Sequence, residues 1–93
     1  MTSKEILTQA RKSIENPDRW GKGPAMYRPG TCCASEAIKN VQGATFDERS
    51  LARGCLFRVI GGVFKRPITL WNDDPKRTHK EVLQAFDEAI EIA

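Results

Sequence analysis

The sequence predicts a mainly all-α protein, a compact bundle of about four short helices with long structured loops, and three observations point there. Apolar residues recur at three- and four-residue steps in several separate stretches, the spacing that gathers them on one helix face. The T-x-x-E pattern occurs at Thr2/Glu5, Thr45/Glu48 and Thr78/Glu81, where hydroxyl and carboxylate can satisfy two free amides at a helix start. Punctuating residues, Pro17, Gly43 and the Gly61-Gly62 pair, fall where the periodic stretches end.

The first helix is expected over 3–16, with Ile6, Leu7, Ala10 and Ile14 on its inner face and Pro17 closing it. From Pro17 to Gly30 prolines and glycines surround Trp20, Met26 and Tyr27. This reads as a loop pinned by Trp20. Thr31 is placed to cap a short helix running to about Asn40, whose narrow apolar stripe is Cys33, Ala34, Ala37, Ile38 and Val41. A turn at Gly43 leads into a third helix over 46–60, with Leu51, Ala52, Cys55, Leu56, Val59 and Ile60 as its apolar set. Gly61 and Gly62 end it.

Val63 to Leu70, interrupted by Lys65, Arg66 and Pro67, reads as an extended segment or edge strand somewhere in 63–71, because proline excludes a central strand. Trp71 to Thr78, WNDDPKRT, reads as a rigid polar loop: Asn72 and Asp73 fold onto nearby amides and Pro75 fixes φ. The last helix follows Thr78 and carries Val82, Leu83, Phe86, Ala89 and Ile90 inward.

A chain of 93 residues with 40% apolar and 29% charged residues has room for one domain and one modest core, residues 1–93. No apolar run is long enough to span a bilayer and the N-terminus lacks a signal core, so a cytoplasmic protein is expected. The three cysteines, Cys32, Cys33 and Cys55, are odd in number and two are adjacent, which suits reduced, buried thiols. No Cys and His spacing resembles a metal site, so neither metal nor cofactor is expected. The net charge of +3 is unevenly spread: Lys and Arg exceed Asp and Glu by two in 17–30 and again in 61–77, while 78–93 carries −3. Basic loops and an acidic last helix fit weak attraction to an acidic partner, well short of a nucleic-acid tail.

The order WNDDPKRTHKEVLQAFDEAI, the CASEAI stretch upstream and the WGKGP loop after the first helix resemble a small family of uncharacterised bacterial and bacteriophage proteins. That family carries a Trp-Asn-Asp-x-Pro-x-Arg-Thr signature before a terminal helix and a Cys-Ala-x-x-Ala helix. The resemblance spans most of the chain and places Trp71, Asn72, Asp73, Pro75, Arg77, Thr78 and Cys33 at the characteristic positions. The Trp20 loop and Glu36, where small residues are usual, depart from it. It implies the fold and a phage or bacterial origin, and leaves the activity open.

Asn72, Asp73, Asp74, Arg77 and His79 are the densest polar constellation. Held in a cleft it would offer carboxylates and an imidazole for acid–base chemistry; outside one, it satisfies its own backbone. Arg77 is expected to pair with Asp73 or Asp74, and His79 to be exposed. Trp20, Arg28, Trp71, Asn72, Asp73, Arg77 and His79 are the binding candidates, because tryptophan and arginine dominate hot spots. Arg49, Arg53 and Arg58 form a candidate basic helix face for phosphates, although the helix starts with Asp47 and Glu48. No phosphate loop or nucleophilic triad occurs. The expected function is a small non-enzymatic interaction module whose partner is another protein. Nucleic-acid binding through the arginine face is the alternative, and an enzyme or ligand site at Trp71–His79 is the third.

Overall fold

A computed structural model describes residues 1–23, 28–61 and 67–93. Five α-helices occur among them: α1 (Ser3–Ser13), α2 (Ala34–Lys39), α3 (Phe46–Gly61), α4 (Ile68–Asn72) and α5 (His79–Ile92). A 3-10 turn occupies Pro17–Arg19. No strand is present among the described residues, and the one β-type contact is an isolated parallel bridge between Trp20 and Cys32.

Each T-x-x-E pattern closes as a reciprocal box. The Thr2, Thr45 and Thr78 amides donate to Glu5, Glu48 and Glu81 at 2.9, 2.8 and 2.9 Å, and the glutamate amides return bonds to the threonine hydroxyls at 3.1, 3.1 and 3.2 Å. The three longest helices therefore begin where the sequence places them. Gly43, at φ 84°, makes the turn between α2 and α3 in a backbone region that a side chain would strain.

α5 lies against both α1 and α3, α1 also touches α2 and α3, and α4 sits under α2 and α3. Ile6, Leu7, Ala10 and Ile14 of the first segment, Ala34, Ala37 and Ile38 of α2, Ala52 and Leu56 of α3, and Val82, Phe86 and Ala89 of α5 are buried in one cluster. The Ala residues on α2 and α5 let helix axes approach closely. Arg11 joins α1 to α5 at the surface, with its Nε 2.6 Å from Asp87 Oδ1.

Several expectations change. α1 stops at Ser13: the Ile14 and Glu15 amides tighten onto the Arg11 and Lys12 carbonyls, and Asn16, extended before Pro17, opens the 3-10 turn with its Oδ1 accepting from the Asp18 amide at 2.9 Å. α2 begins at Ala34 without Thr31 as its cap; the Thr31 hydroxyl turns back to the Arg28 carbonyl at 2.9 Å. Leu51 is 68% exposed, off the edge of α3 on which Ala52 and Leu56 are buried and Cys55, Val59 and Ile60 pack partly against the core. Gly61 is still helical.

The extended segment is overturned over its second half. Ile68–Asn72 is α4, which starts directly after Pro67 and buries Ile68, Trp71 and Asn72. Proline fits that N-cap position because the free amide it lacks would have had no helical partner. Trp71 and Asn72 thus end a helix rather than open a loop. Gly62, the first half of the segment (63–66), and Met26 and Tyr27 lie outside the described residues.

Phe86→Ala should destabilise by about 3–5 kcal/mol, because the ring is fully buried. Leu51→Asp should change stability by less than about 0.5 kcal/mol. Urea unfolding of the two variants checks both; a costly Leu51 change would mean that α3 is rotated.

Acid should weaken the helix starts. The Glu5 and Glu81 carboxyls sit below the usual 4.5, chiefly through the Thr2 and Thr78 amides, and Glu48 chiefly through the N-terminal ammonium. A lowered folded value means stability present above the unfolded value and lost as pH falls through the folded one. The melting temperature should hold above pH 4.5 and drop below it, and the triple change Glu5→Gln, Glu48→Gln, Glu81→Gln should flatten that drop. An equally steep fall in the triple variant would contradict this.

Candidate functional site

The polar constellation is built around Asn72, which is fully buried. Its Oδ1 accepts from the Trp20 indole Nε1 at 2.7 Å and from the Ala34 amide at 3.1 Å. Its Nδ2 donates to the Gly21 carbonyl at 3.0 Å and to Asp73 Oδ1 at 3.1 Å. A primary amide offers two donors and two lone pairs, and all four are used. The Ala34 bond also explains why α2 needs no local cap: Cys33 makes none, and a side chain from α4 takes the first free amide.

The neighbours of Asn72 are similarly engaged. Asp73 Oδ1 also accepts from the Gly23 amide at 3.0 Å. Lys22 places its three ammonium protons on the carbonyls of Asp74, Pro75 and Arg77 at 3.1, 3.0 and 2.6 Å. Asp74 Oδ1 accepts from the Lys76 amide at 2.9 Å. Arg77 lies with its guanidinium carbon 4.2 Å from the Trp71 ring centre, donates from Nε to the Trp71 carbonyl at 3.0 Å, and pairs with Glu81 at 3.3 Å instead of with the neighbouring aspartates. His79 is half-buried rather than exposed: its Nε2 meets the Ile14 carbonyl, left free by the end of α1, at 2.6 Å. A carbonyl only accepts, so Nε2 carries the proton. The imidazole also lies 5.6 Å from the Trp20 ring.

Of the sequence-derived candidates, Trp20, Trp71, Asn72, Asp73, Arg77 and His79 therefore come together, as a structural joint. Trp71 is 9% exposed, Trp20 is half-buried against the core, and Arg28 is exposed. The three most prominent hollows among the described residues are lined by other residues than those of the Trp71–His79 segment.

The arginines of α3 do not all share a face: Arg49 and Arg53 line the same groove, and Arg58 does not. Residues 49 and 58 lie about 180° apart on a helix that turns about 100° per residue. Arg49 is committed to the α2–α3 turn, its Nη1 donating to the Val41 and Ala44 carbonyls at 3.2 and 2.9 Å. Arg58 is exposed on the far side. Arg53 lines an open groove.

That groove runs between α2, α3 and the start of α4, as two continuous hollows of about 450 and 400 Å³ that share Ser35, Ser50, Arg53 and Thr69. Phe46 and Lys39 stand at one end, Phe57, Pro67 and Ile68 at the other. Phe46, Ser50, Arg53 and Phe57 recur at helical steps along one side of α3, distinct from the side that holds Ala52 and Leu56. This second stripe was the available sequence signal for the groove; assigning the α3 apolar residues to a single core face hides it. Cys33 touches the groove but is 1% exposed, and burial raises its thiol pKa. The Cys32 thiol is pushed up to about 11 by burial, then by Cys33 and Glu36. All three cysteines are free, and thiols held neutral by burial, as those of Cys32 and Cys33 are, are poor nucleophiles. No group of three or more His, Cys, Asp or Glu able to hold a metal occurs among the described residues, and no described helix is long and apolar enough to cross a membrane.

The chain matches a family of unknown function, DUF6197, over residues 1–92. It belongs to that family. No curated protein and no solved structure matches it significantly. For this DUF6197 chain, then, the argument about function rests on the site itself.

Asn72→Ala should cost about 3 kcal/mol or more, because it leaves the Trp20 indole N–H and the Ala34 amide without their acceptor and the Gly21 carbonyl without its donor. Arg28→Ala, at an exposed position, should be nearly silent. Urea unfolding measures both, and a mild Asn72 effect would show that the joint is incidental.

Proposed function

We propose that this protein is a small, non-enzymatic protein-interaction module that presents the α2–α3–α4 groove to its partner. The observation that carries the reading is a division of labour. The polar Trp71–His79 residues spend their hydrogen bonds inside the fold, whereas the groove leaves Ser35, Ser50, Arg53 and Thr69 along an open hollow walled by Phe46 and Phe57. Apolar walls with a few polar groups suit a binding surface. Phe46, at 73% exposed, is the obvious aromatic contact.

An enzyme at Asn72, Asp73 and His79 would need a cleft and free acid–base groups, and these groups are committed to the Trp20 loop and α1. Nucleic-acid binding through Arg49, Arg53 and Arg58 would need one basic surface, and α3 turns Arg58 to the side opposite Arg49. The resemblance carried by the Trp-Asn-Asp-x-Pro-x-Arg-Thr signature further suggests a phage or bacterial accessory protein, acting in the cytoplasm on a host protein.

The test is affinity capture from bacterial host lysate, with and without nuclease, using the wild-type chain, a groove-filling Ser50→Trp variant and an Arg58→Glu control. One dominant protein should survive nuclease, disappear with Ser50→Trp and persist with Arg58→Glu. Capture that vanishes with nuclease, or that ignores Ser50→Trp, would overturn the reading.

A further inference from the structure

Resting on that reading, we infer that the groove takes an acidic peptide segment of the partner, with a carboxylate seated against Arg53 and an apolar neighbour against the phenylalanine walls. Lys39, Arg49 and Arg53 face the groove against a single carboxylate, Glu36, so its lining is net cationic. Two of the three cations differ in what they have left to give. Arg49 already donates to two turn carbonyls. Arg53 has its Nε withdrawn from solvent without a hydrogen-bond partner among the described residues.

A guanidinium whose Nε is so placed has lost part of its hydration without a described partner for that nitrogen in return. An incoming carboxylate meets it at short range in a medium less screening than water, where charge attraction is stronger. Guanidinium and carboxylate also match as planar, two-pronged groups. The hydroxyls of Ser35, Ser50 and Thr69 line the same hollow and supply neutral donors to an anion. At the other end Phe57, Pro67 and Ile68 give an apolar floor on which Arg53 is the only charged lining residue among the described ones. The lining is therefore matched to a segment that places Asp or Glu close to a large apolar side chain.

A nucleic-acid backbone fits less well. Its evenly spaced phosphates would have to follow a longer basic track, whereas Glu36 interrupts this one and the acidic Asp47 and Glu48 open α3 beside it.

The test selects binders from a displayed random-peptide library against the purified full chain, then titrates the synthetic consensus peptide by fluorescence anisotropy. The consensus should contain Asp or Glu next to Leu, Ile, Met or Phe. Replacing that acid by its amide should weaken binding about tenfold, Arg53→Gln should weaken it similarly, and the two changes together should cost little more than either alone. Arg53→Gln leaves no buried bond broken, and an unchanged melting temperature certifies its fold; the peptide-side change needs no variant protein at all. Basic or neutral consensus peptides, or binding indifferent to Arg53→Gln, would overturn the inference. So would a library yielding no binder; if capture of a Ser50→Trp-sensitive protein still held, only the acidic-segment inference would fall, and if that capture failed too, the interaction reading would fall with it.

Discussion

The fold depends on one buried amide. Asn72 ends a five-residue helix that could not stand alone in water, since short helices do not recover the cost of nucleation. Its side chain bonds the Trp20 indole, the Gly21 carbonyl and the Ala34 amide, so α4, the Trp20 loop and the start of α2 are fixed relative to one another by one residue. Burying a primary amide is favourable only when its donors and acceptors are all met. Here that requirement acts as a constraint: any shift of the loop or of either helix would leave a polar group unpaired in the interior.

The joint spreads outward by the same logic. Lys22 occupies the carbonyl-rich inside of the 74–77 turn much as a bound cation would, and Asp73 holds the Gly23 amide. Arg77 covers Trp71, and His79 closes the exposed end of α1. Residues 20–23 and the 73–78 turn are thereby tied to each other and to the helices, and the five helices share one core. The same commitment moves the search for function elsewhere: side chains fully occupied in holding backbone groups have little left with which to bind or react. The α2–α3–α4 groove, with Arg53 incompletely satisfied, is where unspent bonding capacity remains.

The helical class and the inner faces of α1, α2 and α5 were legible because periodicity and caps are local. Ile6, Leu7, Ala10 and Ile14, or Val82, Phe86 and Ala89, announce a face without knowledge of their neighbours. The three capping boxes act within four residues and were equally plain. What escaped was decided at a distance. Thr31 has the chemistry of a cap, but Asn72, 38 residues on, takes the amide at the start of α2. His79 looks like a solvated first-turn residue until α1 ends beside it, 65 residues away in sequence. α4 is too short to show a period, and Pro67 and the β-branched residues after it imitate a strand. The groove was hidden because α3 carries two stripes, one for the core and one for the surface. Sequence did single out the WNDDPKRT segment; three-dimensional partners were needed to see that it joins the fold together.

The most direct test of this account is native-state hydrogen exchange, followed by NMR, at the Trp20 indole N–H and the Ala34 amide, the two donors to Asn72 Oδ1. If Asn72 locks the loop into the core, both protons should exchange only through global unfolding, with the same opening free energy as the amide of Phe86. Exchange of either proton through a local opening, well below that free energy, would contradict it and show the Trp20 loop to be merely laid against the helices.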